Sequence, residues 1–214
     1  MTIPNRFKAI IFDMDGVLIN SSDCHANAFR QVFNSIGIKN FHYPDYAGRR
    51  TTEVITSVFI HHGLKPDVNL IKHLAKQKTA LALSFIRNKQ PIFDGTTEML
   101  KRLFPKFQLA LASSASRQSV DLFLELSTSK SLFKTTLCGD DVAEAKPSPE
   151  IYITTSNRLS IEPSQCLVVE DAISGIDAAL NAGMTVWSVT TTHTRNELIT
   201  AGAHVVLKNA ASLH

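Results

Sequence analysis

The stretch Lys8-Ala-Ile-Ile-Phe-Asp13-Met-Asp15-Gly16-Val17 places two carboxylates at the end of a short apolar run. An uninterrupted apolar run of this length is typical of a strand buried on both faces of a parallel sheet. The Asp15-Gly16 pair is a turn signal, so the strand is expected to end there. The stretch therefore predicts a buried first strand that presents Asp13 and Asp15 at its carboxyl end.

Five further apolar runs follow, and helical patterns lie between most of them. The predicted strands cover residues 107–112, 135–138, 166–169, 185–189 and 204–207, and apolar residues recur at helical spacing around 100–104, 120–124 and 173–180. Strands that alternate with helices indicate a parallel sheet covered on both faces. The predicted fold class is therefore α/β, with a Rossmann-like, doubly wound parallel sheet as the core.

More than ninety residues separate the first predicted strand from the second, although a strand-helix-strand unit needs only about thirty. The interval contains three helical patterns of its own, around residues 26–36, at 54–59, and at Leu70, Ile71, Leu74, Leu81 and Phe85. We predict a small α-helical cap at residues 20–88, inserted into a catalytic core formed by residues 1–19 and 89–214. Because open α/β sheets bind ligands outside the carboxyl ends of their strands, the cap is expected to lie over the site.

The composition argues against several classes of partner. The 22 Lys and Arg residues against 19 Asp and Glu give a formal net charge of +3 without any basic block, so no nucleic-acid partner is expected. No apolar stretch approaches the roughly 18 residues that span a bilayer, so no membrane partner is expected either. Three widely spaced cysteines, Cys24, Cys138 and Cys166, disfavour a disulfide framework or a zinc site and fit a reducing cytoplasm.

Polar residues that could carry chemistry follow several of the predicted strands. Ser113 and Ser114 follow the second strand, Lys146 lies at a helix start, and Glu170-Asp171 follows the fourth strand. Taken singly, a serine or aspartate in such a place is more often a helix cap, and a lysine is more often solvated. Together they point to one site, because parallel strands end at the same edge of a sheet.

The convergence of these groups predicts phosphate chemistry with a divalent cation. One of Asp13 and Asp15 could attack phosphorus while the other exchanges a proton with the leaving oxygen. Asp13, Glu170 and Asp171 would repel one another and a phosphate unless a hard cation joined them, and Mg²⁺ prefers such oxygen ligands. The cation and Lys146 would then neutralise charge on the transferred group.

The ordered motifs of the chain resemble those of the haloacid dehalogenase-like (HAD) hydrolase superfamily. The matching motifs are Phe12-Asp13-Met-Asp15-Gly16-Val17, Ser113, Lys146-Pro147 and Val168-Val-Glu170-Asp171-Ala-Ile-Ser-Gly175. The subgroup that the chain resembles carries a helical cap after the first strand and includes phosphoglycolate phosphatases and β-phosphoglucomutases. The resemblance extends over the whole chain, including the predicted cap.

The resemblance implies a catalytic or metal-binding role for five of the motif residues. Asp13 would be the nucleophile that forms an aspartyl-phosphate, and Asp15 would be the general acid and base. The Asp13 carboxylate, the Asp15 backbone carbonyl and Asp171 would hold Mg²⁺, with Glu170 in or beside that shell. Lys146 would stabilise the phosphate.

Ser113 would bind the phosphate in this family, with Ser114 and Gly16 as neighbouring phosphate-binding candidates. The dehalogenases that give the superfamily its name lack the second aspartate of the first motif. Because Asp15 is present here, the resemblance implies phosphate chemistry rather than cleavage of a carbon–halogen bond.

The predicted cap leaves hydrolase and mutase chemistry open as alternatives. His25 and Lys78 match positions that lie over the active site of β-phosphoglucomutase, and the mutase arginine that holds the second phosphate aligns with Thr51. Arg49 and Arg50 lie next to Thr51 and could substitute for that arginine. The simpler interpretation makes His25 a partly exposed residue in the first turn of a helix and Lys78 part of a solvated helix face.

We predict a Mg²⁺-dependent phosphatase whose partner is a small phosphorylated metabolite, a sugar phosphate or a similar phosphate monoester. One alternative is a β-phosphoglucomutase-type hexose-phosphate mutase, and another is a non-catalytic, phosphate-binding regulatory module. The complete set of Asp13, Asp15, Lys146 and Asp171 weighs against the regulatory module, and the long insertion disfavours a phosphorelay receiver domain. The sequence does not determine the oligomeric state and is compatible with a monomer.

Overall fold

A parallel β-sheet forms the centre of the molecule. A computed structural model describes residues 1–214 and contains six strands: β1 (Ala9–Phe12), β2 (Gln108–Ala112), β3 (Thr135–Leu137), β4 (Cys166–Glu170), β5 (Thr185–Val189) and β6 (Val205–Leu207). Their order across the sheet is β3-β2-β1-β4-β5-β6, and every pairing is parallel. The six predicted strands are confirmed to within one residue at each end.

The strand order reverses next to β1. From β1 the chain builds β2 and β3 on one side, and it then returns to add β4, β5 and β6 on the other side. Phe12, the last residue of β1, lies between Leu111 of β2 and Val169 of β4. The carboxyl ends of these three strands are therefore adjacent, at the kind of crevice where open α/β sheets bind ligands.

Eight helices accompany the sheet: α1 (Ser22–Ser35), α2 (Thr51–His61), α3 (Val68–Lys89), α4 (Thr96–Leu103), α5 (Arg117–Leu126), α6 (Glu150–Leu159), α7 (Ile173–Asn181) and α8 (Arg195–Thr200).

Alternate residues of β1 belong to two separate apolar clusters. Ile10 and Phe12 belong to one cluster, and Ala9 and Ile11 belong to the other. Because successive side chains of a strand point to opposite faces, both faces of β1 are buried. This explains the uninterrupted apolar run in the sequence.

The three helices of the insertion pack on one another around a third apolar cluster, which includes Phe29, Phe33 and Phe59. The separate cluster supports the domain boundaries at residues 20 and 88, which stay a prediction. The buried stripe of α3 differs from the predicted one, since it consists of Ile71, Leu74, Lys78, Ala82 and Ile86. Leu70 is exposed. A buried lysine in the middle of the stripe obscures its helical period in the sequence.

Cys24, Cys138 and Cys166 are all buried free thiols. None of the eight helices combines the length and the apolar composition that crossing a bilayer requires.

We expect Phe33→Ala to loosen the cap while leaving the sheet intact. Phe33 is fully buried against Phe29 and Phe41, and removing such a ring costs about 3–5 kcal/mol. In hydrogen–deuterium exchange, α1, α2 and α3 should exchange faster while the strands of the sheet keep their protection. Ile60→Ala, at a position that is 64% exposed, is the matched control and should cost about 0.5 kcal/mol or less. Equal acceleration in cap and sheet would contradict a separately unfolding cap.

Candidate active site

Asp13 directly follows β1 at the carboxyl edge of the sheet. The four residues of β1 are fully buried, and the Asp13 backbone N–H donates to the Val169 carbonyl at 3.0 Å. This bond continues the pairing with β4 by one residue beyond the strand. The central strand therefore holds the Asp13 carboxylate, which is only 7% exposed, where the strand order reverses.

Lys146 connects Asp13 to Glu170 beneath the carboxyl edge of the sheet. Its Nζ donates to Asp13 Oδ1 at 2.6 Å, to Glu170 Oε1 at 2.7 Å and to the Ala112 carbonyl at 3.2 Å. Burial by itself would lower the pKa of Lys146, but the charges of Asp13 and Glu170 outweigh it and raise that pKa well above its usual value. Lys146 is thus a buried ammonium ion rather than a solvated surface lysine.

Protein donors occupy both carboxylate oxygens of Glu170. Besides Lys146, Oε1 accepts from the Tyr152 hydroxyl at 2.9 Å, while Oε2 accepts from the backbone N–H groups of Asp171 at 2.9 Å and Ala172 at 3.1 Å. The carboxylate therefore holds Lys146 and the turn after β4. Of the two positions predicted for Glu170, this arrangement favours the one beside a metal shell over the one within it.

Asp13, Glu170 and Asp171 form a buried acidic cluster whose ligand oxygens lie within 4.8 Å of one another. Burial, with repulsion from Glu170 and Asp15, raises the pKa of Asp13 to about 8 despite the nearby Lys146. Burial and the same kind of repulsion raise the pKa of Asp171 well above its usual value. One ammonium ion does not balance three carboxylates, so the cluster either takes up protons or binds a cation.

The oxygen donors around this cluster suit Mg²⁺. Asp13 and Asp171 supply carboxylates, and the backbone carbonyl of Asp15 accepts no hydrogen bond from the backbone. Mg²⁺ binds through a few carboxylate and carbonyl oxygens together with substrate oxygens. The residues present therefore fit the predicted ion.

Two glycines make room for the acidic side chains. Gly16 has a φ of +83°, and a Cβ at this position would overlap the carboxylate of Asp171. In the same way, a Cβ at Gly175 would overlap the carboxylate of Glu170. Gly16, a candidate for phosphate binding, thus lies against Asp171 and allows its close approach.

The side chains that hold Asp15 all come from the insertion at residues 20–88. Its Oδ1 accepts from the Ser21 hydroxyl and lies 3.0 Å from His25 Nε2. On the other side of the imidazole, Lys78 Nζ lies 2.9 Å from Nδ1. His25 and Lys78 are both only 6% exposed, so the simpler interpretation of them as partly or fully solvated residues is wrong.

The contacts of His25 determine where its proton lies. An ammonium group can only donate, so Nδ1 accepts from Lys78 and Nε2 carries the proton that faces Asp15. Burial lowers the pKa of Lys78 to about 8, against the opposing effect of Asp15, which leaves the amine mainly charged at neutral pH. Burial would raise the pKa of Asp15, but His25, Ser21 and Lys78 outweigh it and lower that pKa.

A cavity of about 50 Å³, the central chamber, lies between the sheet edge and the cap. The core and the cap both contribute to its wall, which consists of Asp13, Asp15, His25, Phe29, Tyr43, Gly48, Arg49, Thr51, Lys78, Ser113, Ser114 and Ala115. The structure thus brings the two aspartates, both serines and the three cap candidates to one space. Lys146, Glu170, Asp171 and Gly16 lie behind this wall.

The two neighbouring arginines of the cap have different surroundings. Arg49 lines the central chamber and donates to the Ser57 hydroxyl at 3.1 Å. Arg50 points away and donates to the backbone carbonyls of Val142 at 2.6 Å and Ala143 at 2.9 Å. Arg50 therefore ties the cap to the loop that leads to Lys146 and is not a substitute for a phosphate-binding arginine in the chamber.

Sequence reasoning missed three side chains that support the site. The Thr192 hydroxyl donates to Asp171, and the same rule that found the other residues would have found it, because Thr192 follows β5 at the carboxyl edge. Ser21 and Tyr152 contact Asp15 and Glu170. They lie at the start of α1 and within α6, where no local pattern distinguishes them from ordinary helix residues.

Comparisons with known proteins agree with this geometry. A family model described as haloacid dehalogenase-like hydrolase matches residues 10–189. Validoxylamine A 7'-phosphate phosphatase of Streptomyces hygroscopicus subsp. limoneus is 31% identical over 95% of this chain and 94% of that protein. The phosphorylated carbohydrates phosphatase of Thermotoga maritima is 29% identical over 94% of each chain.

Solved structures have the same fold. A β-phosphoglucomutase from Clostridium difficile has a TM-score of 0.86 at 23% identity, over 97% of this chain and 93% of that one. CbbY from Rhodobacter sphaeroides, solved in complex with xylulose-(1,5)bisphosphate, has a TM-score of 0.84 at 25% identity, over 96% of each chain. Since the family model matches most of the chain and the motif residues meet at one site, the protein belongs to the haloacid dehalogenase-like hydrolases and is an enzyme of that family.

Proposed function

We propose that the protein is a Mg²⁺-dependent phosphatase that hydrolyses small phosphate monoesters through an aspartyl-phosphate on Asp13. The observation that carries this proposal is that two carboxylates face one chamber and have different hydrogen-bond partners. Asp13 Oδ1 accepts a hydrogen bond from the Lys146 ammonium group, so Oδ2 is the oxygen that can attack phosphorus. Asp15 lies beside a proton carried by His25. One carboxylate is thus placed to attack and the other to move protons.

The substrate class that we propose is a sugar phosphate or a similar phosphorylated metabolite. Two relatives of the chain carry names that describe phosphatases of carbohydrate-like compounds, validoxylamine A 7'-phosphate and phosphorylated carbohydrates. They are 31% and 29% identical to this chain over nearly its whole length. A cytoplasmic location and a monomeric state stay predictions from the sequence.

The reaction that we propose has two halves, and one proton passes through Asp15 in each. First, an Asp13 oxygen bonds to phosphorus while the bond to the leaving-group oxygen breaks, and Asp15 donates a proton to that oxygen. Second, a water oxygen attacks the phosphoryl group while Asp15 takes up the water proton. The bond between phosphorus and Asp13 then breaks, which releases inorganic phosphate and restores both aspartates.

The charged and hydroxyl groups around Asp13 have supporting roles in this proposal. Lys146 neutralises negative charge beside the nucleophile, and Ser113 and Ser114 donate to the phosphoryl oxygens. Asp13, Asp171 and the Asp15 carbonyl would hold Mg²⁺, with Glu170 beside them. When bound, the ion supplies positive charge to the transferred group.

The mutase and regulatory alternatives receive less support. A mutase must grip a second phosphate, and Thr51 lies in the chamber wall where the mutase resemblance calls for arginine. Arg50 is bound to two backbone carbonyls, and a hydroxyl does not replace the planar, bidentate guanidinium group. A regulatory module would not need Asp13, Asp15 and Lys146 gathered around one chamber.

We expect chelation of divalent metal to abolish turnover, and we expect Ca²⁺ to restore it poorly. Ca²⁺ takes more ligands in a looser shell, which misplaces the nucleophile. Mg²⁺ alone should also raise the melting temperature of the wild-type chain, because it relieves repulsion between buried carboxylates. This shift should disappear in Asp171→Asn. Full phosphatase activity after exhaustive chelation would contradict the proposed mechanism.

We expect Asp13→Asn to abolish covalent phosphorylation and turnover, because an amide is a poor nucleophile. Asp15→Asn should slow hydrolysis of alkyl phosphates by roughly 10²–10⁴-fold, the effect of a lost general acid. It should slow hydrolysis of p-nitrophenyl phosphate less, since that leaving group needs no proton. Asp121→Asn, at an exposed position on α5, is the matched control. Equal losses on both esters in Asp15→Asn would show that Asp15 is not the acid.

We expect β-glucose 1-phosphate, where it is accepted, to yield glucose and inorganic phosphate faster than glucose 6-phosphate. The reason is that Thr51 lies where the mutase resemblance calls for arginine, and the arginine that does line the chamber, Arg49, donates to the Ser57 hydroxyl. A phosphorus NMR time course with a trace of glucose 1,6-bisphosphate as primer measures both products. Clean accumulation of glucose 6-phosphate without inorganic phosphate would establish the mutase instead.

A further inference from the structure

The cap contributes one tyrosine hydroxyl to the central chamber. Between α1 and α2 the chain forms a single 3₁₀ turn, Tyr43–Tyr46, and Tyr43 lines the chamber, whereas Tyr46 and Tyr152 do not. The Tyr152 hydroxyl donates to Glu170 at 2.9 Å, but the Tyr43 hydroxyl makes no hydrogen bond with another group of the protein. A hydroxyl without a protein partner in the wall of a polar chamber is free to bind a water molecule or a substrate group.

Aromatic packing holds the Tyr43 ring in place. Its centroid lies 6.3 Å from that of His25, with an angle of 29° between the ring planes, and 6.1 Å from that of Phe29. Phe41 adds a third neighbour at 6.5 Å. Because packed side chains keep one rotamer, the hydroxyl at the end of this ring has a fixed position relative to the chamber.

The Tyr43 hydroxyl lies within range of the charges of the carboxylates. Burial raises the pKa of Tyr43, and the charges of Asp15, Asp171 and Asp13 raise it further, with Asp15 the strongest of the three. Tyr43 therefore stays a neutral phenol at neutral pH, and a phenol can both donate and accept a hydrogen bond. The strong influence of Asp15 indicates that the hydroxyl is on the side of the chamber where Asp15 moves protons.

The second half of the proposed reaction needs an acceptor besides Asp15. The attacking water has two protons, of which Asp15 takes one, and the water is oriented only when the second proton also has an acceptor. His25 cannot accept it, because one ring nitrogen faces Asp15 with its proton and the other accepts from Lys78. Lys78 and Arg49, which also line the chamber, have donors only.

Hydroxyl groups are the remaining side-chain acceptors of the chamber wall. The core supplies those of Ser113 and Ser114, and the cap supplies those of Tyr43 and Thr51. Displacement at phosphorus is in line, so the water approaches from the side opposite Asp13, which is the side of the cap. Thr51 also lines the larger neighbouring cavity and thus lies at the edge of the chamber, whereas Tyr43 lines the chamber alone.

The size of the chamber agrees with a bound water. At about 50 Å³ it has room for a phosphoryl group or a few water molecules, since one water needs roughly 10–15 Å³ of this kind of space. A water between the phosphoryl group and the cap would lie among Asp15, His25 and Tyr43.

We propose that the Tyr43 hydroxyl orients the water that hydrolyses the aspartyl-phosphate. This inference rests on the proposed function and adds a residue to its second half. The water oxygen bonds to phosphorus while the bond between phosphorus and Asp13 breaks, and Asp15 takes one water proton. Tyr43 accepts a hydrogen bond from the other proton, which stays on the oxygen and leaves with inorganic phosphate. The protonation of Tyr43 does not change.

The test compares water with methanol as the acceptor of the phosphoryl group. Methanol has one hydroxyl proton, which Asp15 takes, and no second proton for Tyr43, so loss of the Tyr43 hydroxyl should slow only the reaction with water. The wild-type chain and its variants receive p-nitrophenyl phosphate, Mg²⁺ and methanol. Phosphorus NMR measures methyl phosphate and inorganic phosphate as the two products.

Tyr43→Phe removes the hydroxyl and keeps the ring among its aromatic neighbours. Tyr46→Phe is the matched control, because it removes the other hydroxyl of the same turn from a ring that packs on Phe41 at 5.3 Å and lies outside the chamber wall. Both variants keep the packed ring, so both are expected to fold.

We expect the ratio of methyl phosphate to inorganic phosphate to rise about tenfold in Tyr43→Phe, the effect of one lost hydrogen bond. In Tyr46→Phe the ratio should stay at its wild-type value. Without methanol, stopped-flow measurements on Tyr43→Phe should show the wild-type rate for the first release of p-nitrophenol. The phosphorylated enzyme, trapped in acid, should then accumulate above its wild-type level, because only its hydrolysis is slowed.

An unchanged product ratio in Tyr43→Phe, or the same rise in Tyr46→Phe, would overturn this inference alone. Equal slowing of p-nitrophenol release and phosphate release in Tyr43→Phe would also overturn it, since the hydroxyl would then act on phosphate binding or on the structure rather than on the water. A wild-type chain that forms no phosphorylated enzyme from p-nitrophenyl phosphate and Mg²⁺ would overturn the proposed function and this inference together.

Discussion

A buried ammonium ion between two buried carboxylates is the interaction on which the rest of the site depends. Lys146 comes from the loop after β3, Asp13 follows β1 and Glu170 ends β4, so the contact forms only when these three parts of the sheet come together. Removing one partner of such a buried pair leaves an uncompensated charge at a cost of roughly 3–5 kcal/mol. The ion pair therefore couples folding of the sheet to assembly of the nucleophile.

The cap is connected to the core through polar contacts at two places. Lys78 and His25 form a chain to Asp15, so the cap determines the hydrogen bonding of a carboxylate that belongs to the core. Arg50 donates to two carbonyls of the loop that leads to Lys146. Because buried polar groups need partners, these contacts favour the closed arrangement of cap and core. They also leave Arg49, beside Arg50, in the chamber wall.

Most of the core site could be predicted from sequence, because the buried strands of this fold appear in the sequence as continuous apolar runs. Polar residues after those runs had to meet at one edge, and the structure brings together Asp13, Asp15, Ser113, Lys146 and Asp171 there. The cap was harder to interpret. The buried stripe of its third helix contains a lysine, Lys78. The apolar pattern alone therefore predicts Leu81 and Phe85 as core positions. It also allows Lys78 to be interpreted as a solvated residue.

The amino-acid sequence by itself determined the parallel sheet, the helical insertion and the set of acidic residues at the strand ends, because apolar runs, turn residues and helical periods are local properties. Only the tertiary structure decided that Lys78 faces His25 and that Arg50 is bound to the core. The partners in these contacts lie 53 and 92 residues apart in the chain. Burial and hydrogen bonding between such distant residues depend on how helices and sheet pack, and no local pattern reports them.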